Sequence, residues 1–131
     1  MQTILVVDDA PICREPIAAS LRLAGFKTLC AGNGQEALWI MQNTPVDLIL
    51  LDVAMPVMDG ITTLRKIREM PAHANLPVIM LTAATDQRYM EQAAPLRPAD
   101  YMLKSHFSLQ ELLARVKRHL PAPVAAVAAV A

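Results

Sequence analysis

Asp8 and Asp9 follow the apolar run Ile4–Val7, and Asp52 ends the run Leu48–Leu51. An isolated charge is costly to bury unless it is paired or bound to metal, so acids at the ends of two core-type segments call for a common reason. Thr82 and Lys104 stand at the corresponding ends of two later apolar segments. Three clustered carboxylates repel one another, and a divalent cation that prefers oxygen relieves the repulsion. Mg²⁺ suits sites with one or two carboxylates, several waters and a substrate phosphate. A lysine and a hydroxyl nearby complete a cradle for phosphoryl oxygens. A carboxylate with a free oxygen could then attack phosphorus and form an aspartyl phosphate. Each residue alone has a plainer reading: an aspartate after a strand is usually a turn residue or helix cap, and a single lysine is a solvated surface group. It is the recurrence of all five at strand ends that favours the chemistry.

The elements that must position these residues alternate along the chain. "TILVV" (Thr3–Val7), "KTLCA" (Lys27–Ala31), "DLILLD" (Asp47–Asp52), "PVIML" (Pro77–Leu81) and "DYML" (Asp100–Leu103) read as strands. Three of them lack polar alternation, as expected of strands covered on both faces. Helical patterns fill the gaps. One runs from Ile12 to Ala24 and stops at Gly25. Asn33 caps a second, with Ala37, Leu38 and Met41 on one face. Ile61, Leu64 and Ile67 form the stripe of a third. A fourth spans Asp86 to Ala94 and is cut off by Pro95, and a fifth opens with the capping box Ser108–Glu111 and carries Leu109, Leu112, Leu113 and Val116. Five strand–helix units with right-handed crossovers predict an α/β doubly wound parallel sheet with helices on both faces. In such sheets the ligand crevice lies beyond the carboxyl ends of the strands, where strand order reverses. If the first and third strands are neighbours there, Asp8, Asp9 and Asp52 converge.

Composition sets bounds. With 131 residues, 54% hydrophobic and 18% charged, the chain suits one globular domain. Its formal net charge of zero argues against bulk electrostatic binding to nucleic acid or an anionic membrane. The two cysteines, Cys13 and Cys30, have no CxxC spacing and are expected as buried reduced thiols in a cytoplasmic protein. His73, His106 and His119 are too scattered for a histidine metal site, and Met55 and Met58 read as packing. Residues 1–120 are expected to form the domain, and residues 121–131, "PAPVAAVAAVA", a tail or the start of a linker.

On "VVDD" (Val6–Asp9), "LLDVAMPVMDG" (Leu50–Gly60), "PVIMLTA" (Pro77–Ala83) and "DYMLKS" (Asp100–Ser105), the chain resembles the receiver domain of two-component response regulators. The resemblance implies a flavodoxin-like, five-stranded sheet of order 2-1-3-4-5. It implies phosphorylation of Asp52 by a phosphohistidine on a sensor histidine kinase or histidine phosphotransfer protein. It gives Mg²⁺ to Asp8, Asp9, Asp52 and the backbone carbonyl of Ala54, with Asp8 acting mainly through water. Lys104 would pair with the phosphoryl group, Thr82 would turn toward it, Ala83 would leave room for it, and Tyr101 would rotate inward. The implied role is that of a signalling domain and not an enzyme acting on other substrates. An aspartate-nucleophile phosphatase usually has a second acid two residues after the nucleophile, where Ala54 stands here. Partner recognition is expected at the pocket rim, where Ile12, Pro16, His106 and Phe107 flank the acids and the lysine.

The sequence also departs from the family. Ser105 follows the lysine where proline is usual. A cis bond to a non-proline residue costs about 2.5–4 kcal/mol against about 0.5–1 for proline, so a trans Lys104–Ser105 peptide and a rerouted loop are expected. Pro16 lies inside the first helix and should kink it or delay its first full turn. Pro95 and Pro98 interrupt the link from the fourth helix to the fifth strand, and Ala54 and Ala84 occupy positions that tune phosphoryl lifetime.

Overall fold

A computed structural model describes residues 1–82, 87–104 and 108–120. Five parallel strands, β1 (Thr3–Val7), β2 (Lys27–Ala31), β3 (Leu48–Asp52), β4 (Val78–Thr82) and β5 (Asp100–Leu103), form one sheet of order β2-β1-β3-β4-β5. The helices are α1 (Pro11–Leu23), α2 (Gly34–Asn43), α3 (Gly60–Glu69), α4 (Gln87–Ala93) and α5 (Leu109–His119), with single 3₁₀ turns at Pro71–His73 and Ala94–Leu96. The expectations for Ala83, Ala84, the start of the fourth helix, Ser105–Phe107 and the tail lie outside the described residues.

The pleat of the continuous apolar strands divides the core. Ile4, Val6, Leu48, Leu50, Ile79 and Leu81 point to one face, where Ile17 and Leu21 of α1 and Leu112 and Val116 of α5 cover them. Leu5, Val7, Ile49, Leu51, Val78 and Met80 point to the other, under Ala37 and Met41 of α2, Ile61, Leu64 and Ile67 of α3 and Ala93 of α4. Strands so buried on both faces need no polar alternation.

Local signals fix the helix ends. The side chains of Asn33, Asp59 and Ser108 accept from the amides of Glu36, Thr62 and Glu111 at 2.8, 2.7 and 3.0 Å. Gly25, at φ +96°, closes α1: its N–H donates to the Arg22 carbonyl, and the Phe26 N–H to that of Leu21. Pro16 does not delay α1. The helix starts at Pro11, where a proline loses no bond, and the Arg14 N–H closes the first turn on the Ala10 carbonyl at 2.9 Å. Of the expected capping box, Ser108 serves as the cap, while the Glu111 carboxylate pairs with Arg115 at 3.1 Å. Cys13 and Cys30 are free but only half-buried, which corrects the expectation of buried thiols. Among the described residues no helix is long and apolar enough to cross a membrane.

The end of the sheet away from the acids is cross-linked by side chains. Arg68 donates to the carbonyls of His73, Leu76, Leu96 and Arg97, tying α3 to the connections on either side of β4 and α4. Asp100 of β5 accepts from Arg115 and meets His119, both on α5, at 2.8 and 3.1 Å.

At the other end, α3 starts hard against the backbone of β3. The Gly60 N–H donates to the Val53 carbonyl at 2.8 Å. A Cβ at Gly60 would run into the Asp52 carbonyl oxygen and come within 2.9 Å of Val53 Cα. Backbone atoms cannot yield as a side-chain tip can, so Gly60→Ala is expected to destabilise the fold by about 1–3 kcal/mol, the usual cost of overpacking. Gly32→Ala, whose Cβ would meet only side-chain atoms at 3.7 and 3.8 Å, should stay within about 0.5 kcal/mol. Urea denaturation of the two variants checks the contrast.

Candidate functional site

The parallel register carries the three acids to one place. Val7 of β1 lies beside Leu51 of β3, so the next residues, Asp8 and Asp52, leave the sheet side by side. One carboxylate oxygen from each of Asp8, Asp9 and Asp52 lies within 4.8 Å of the others. Asp8 and Asp52 are buried, and Asp9 is exposed. Hydrogen bonds continue past the strands and align the remaining ends: Val53 N–H donates to the Leu81 carbonyl at 3.1 Å, and Lys104 N–H to the Thr82 carbonyl at 2.8 Å.

Lys104 reaches back over this edge. Its Nζ lies 2.6 Å from Asp8 Oδ2 and 3.1 Å from Asp52 Oδ2. Burial pushes the Asp52 carboxyl up to about 6; the Lys104 charge opposes that, and the charges of Asp8 and Asp9 reinforce it. Burial also works against the Lys104 ammonium, but its hydrogen bonds to Asp8 and Asp52 and their charges outweigh it, and its pKa rises. The ammonium is too little for the cluster, since three carboxylates against one lysine leave an excess of negative charge.

Asp8 is held on both sides. Oδ1 accepts from the Ala10 N–H at 3.0 Å, and its main-chain carbonyl accepts from Arg14 Nη1 at 2.9 Å. Oδ2 is fully buried and, among the described residues, meets only the Lys104 ammonium. A buried carboxylate oxygen with spare capacity, beside two more carboxylates, is a donor set that fits a hard, oxygen-seeking divalent cation.

The loop after Asp52 is short and strained. Ala54 is exposed on it. Val57 has φ +71°, an outlier for a β-branched residue, and the Met58 N–H donates to the Pro56 carbonyl at 2.8 Å across it, a γ-turn. Asp59 then caps α3 and Gly60 closes the loop on Val53. On the far side Thr82 is buried at the end of β4. Tyr101 is half-buried, burial raises its pKa, and its hydroxyl donates to the Met90 carbonyl of α4 at 3.3 Å.

The structure thus brings Asp8, Asp9, Asp52 and Lys104 into one cluster, with Thr82 at the adjacent strand end and Ala54 on the rim. Tyr101 points to α4, and Ile12, at 85% exposed, stands clear of the core. Sequence reasoning missed Asp59 as a cap, although an aspartate two residues before a helical stripe is the ordinary signal. It also missed Arg14, whose contact with Asp8 has no local signature.

The comparisons agree with this geometry. Residues 4–117 match the family model described as the response regulator receiver domain. The chain is 40% identical over 119 residues to the DNA-binding response regulator MtrA of Mycolicibacterium smegmatis, covering 91% of this chain and 50% of that protein. It is 39% identical over 116 residues to the phosphate regulon transcriptional regulatory protein PhoB of Pseudomonas aeruginosa, covering 88% and 50%. The chain therefore spans about half the length of the curated relatives it matches. Among solved structures, the chemotaxis protein CheY4 of Vibrio cholerae superposes with a TM-score of 0.86 at 30% identity, over 92% of this chain and 99% of that one. TrrA of Thermotoga maritima, in complex with Mg²⁺–BeF, superposes with a TM-score of 0.80 at 33% identity, over 90% and 98%. A matching family model over most of the length, and the same doubly wound sheet in its solved members, place this chain in the response regulator receiver domain family of two-component signalling.

Proposed function

We propose that the domain accepts a phosphoryl group on Asp52 from a phosphohistidine of a sensor histidine kinase or phosphotransfer protein, and thereby switches a protein-binding surface. The observation that carries this reading is the Lys104 ammonium held between the buried carboxylates of Asp8 and Asp52. Asp8, Asp9, Asp52 and the Ala54 carbonyl would hold Mg²⁺, which when bound neutralises charge on the carboxylates and the incoming phosphoryl oxygens. The Mg²⁺–BeF complex of TrrA supports that assignment by likeness.

In the transfer, an Asp52 carboxylate oxygen bonds to phosphorus as the phosphorus–nitrogen bond of the phosphohistidine breaks. The electron pair returns to the imidazole nitrogen, which takes up a proton. Positioning and electrostatics supply most of the acceleration in such transfers. Lys104 is a compact charge on a flexible stem, so it can leave Asp8 and follow the phosphoryl oxygens. The Thr82 hydroxyl turns toward the same oxygens and Tyr101 gives up the Met90 carbonyl, and the family resemblance gives Ala83 the role of a small residue beside them. The chain's zero net charge supports an output through protein contacts and not through bulk attraction to nucleic acid.

Asp52→Asn should abolish base-labile phosphorylation by a small phosphodonor with Mg²⁺, and labelling that persists would overturn the assignment. Its metal-free stability reports the same site. The folded pKa of Asp52 is raised, so the native state holds a proton more tightly than the unfolded chain, and stability falls as pH rises from about 4 to about 6. At pH 7–8 Asp52→Asn should therefore be about 1–2 kcal/mol more stable than wild type. The gap should close below pH 4, as read by chemical denaturation in EDTA.

Mg²⁺ at tenfold its Kd should stabilise the native state by about 1.4 kcal/mol. In Asp9→Ala, an exposed position that the fold does not need, the effect should largely disappear. Thermal melts with and without Mg²⁺ decide this, and equal shifts in both proteins would place the metal elsewhere.

A further inference from the structure

We propose that Arg14 is a positioning residue for the metal-binding acids: it sets the direction in which Asp9 leaves Asp8, an inference that rests on the Mg²⁺ site proposed above. The ladder of β1 with β2 runs one bond past the strand, from the Asp8 N–H to the Ala31 carbonyl at 3.1 Å. The Asp8 carbonyl is beyond it, in a residue with no exposed surface. Arg14 Nη1, one turn into α1, donates to that carbonyl at 2.9 Å. The Asp8 carbonyl and the Asp9 amide share one rigid peptide plane. Holding the oxygen therefore fixes the plane, and with it the starting direction of Asp9. Asp9 needs this help, because it is exposed and no hydrogen bond holds its carboxylate among the described residues.

Two further observations fit a side chain placed for Asp8's carbonyl and not for its own satisfaction. Arg14 Nε is buried with no partner among the described residues, an unmet donor that carries a penalty. Among the described residues its ion pair is a long one, 3.6 Å to the exposed Glu15.

The sign of the effect separates positioning from charge. Removing a cation beside a metal site, with nothing else altered, tightens Mg²⁺ binding. Loss of positioning weakens it. In about 0.5 M KCl, where the Debye length is only about 4 Å, Arg14→Met should bind Mg²⁺ about tenfold more weakly than wild type by calorimetry. Its phosphorylation by a small phosphodonor should recover to within about twofold at saturating Mg²⁺. In the metal-free protein the ¹³C resonance of the Asp8 carbonyl should move upfield as its hydrogen bond is lost. Unchanged or tighter Mg²⁺ binding, or a rate deficit that persists at saturation, would overturn the proposal. Should Arg14→Met not fold, Arg14→Lys, which keeps the charge on a shorter donor, carries the same comparison, with several-fold weaker binding expected and wild-type binding overturning it. Wild-type protein that binds no Mg²⁺ would instead sink the metal site itself, while the Asp8 carbonyl shift would still test the contact.

Discussion

The carboxyl edge of the sheet depends on one ammonium set between two buried carboxylates. Asp8 and Asp52 are brought together by strand register, and neither can be in water. Two like charges so placed are tolerable only with a counter-charge. Lys104 supplies it at 2.6 and 3.1 Å, from the far side of β4. The compensation is incomplete, because Asp9 adds a third acid and the Asp52 carboxyl is still pushed up to about 6. A cluster left short of positive charge is suited to a divalent cation and to the transfer of a charged group, and the domain's proposed chemistry follows from that imbalance.

Keeping the imbalance stable requires rigid backbone around it. Gly60 lets α3 begin in contact with the main chain of Asp52 and Val53, at a distance that no larger residue allows. The loop between them turns through Val57 at positive φ, a conformation that persists only where its surroundings determine it. Asp59 at one end and the Gly60–Val53 bond at the other supply those surroundings. On the β1 side, Asp8 is fixed through its carboxylate by Ala10 and through its carbonyl by Arg14. The nucleophile candidate and its neighbours thus sit on strand ends and closed turns, not on long side-chain reaches. The long reach is left to Lys104, a group that the proposed mechanism asks to move.

The opposite end of the molecule is built for the reverse purpose. Arg68 gathers four carbonyls from two connections, and Asp100 ties β5 to α5 through Arg115 and His119. In α4, residues Arg88 to Gln92 are exposed while Ala93 is buried. This helix buries Ala93 against the core and meets the Tyr101 hydroxyl through the Met90 carbonyl. Tyr101, three residues before Lys104, is thus a direct contact between the site's strand and this helix, which the proposed switch would use.

By itself the sequence determined the period and order of the elements and the residue types at strand ends. The strand boundaries hold to within one residue, because uninterrupted runs such as "ILVV" and "LILLD" suit only strands buried on both faces. Asn33, Ser108 and Gly25 marked helix ends because capping is local chemistry. What the tertiary structure decided are the distances that no local pattern encodes. That Lys104 would contact Asp8 as closely as Asp52, that Gly60 would touch the Asp52 backbone, and that Arg14 would hold the Asp8 carbonyl all depend on register and crossover packing. The expected delay of the first helix by Pro16 was overruled for the same kind of reason. A helix's first turn owes its start to the residue before it, and here Pro11 at the first position made that turn favourable before Pro16 could oppose it. Local signals specify what each segment becomes, while the energies of the site arise between segments, where only the folded chain brings charges together.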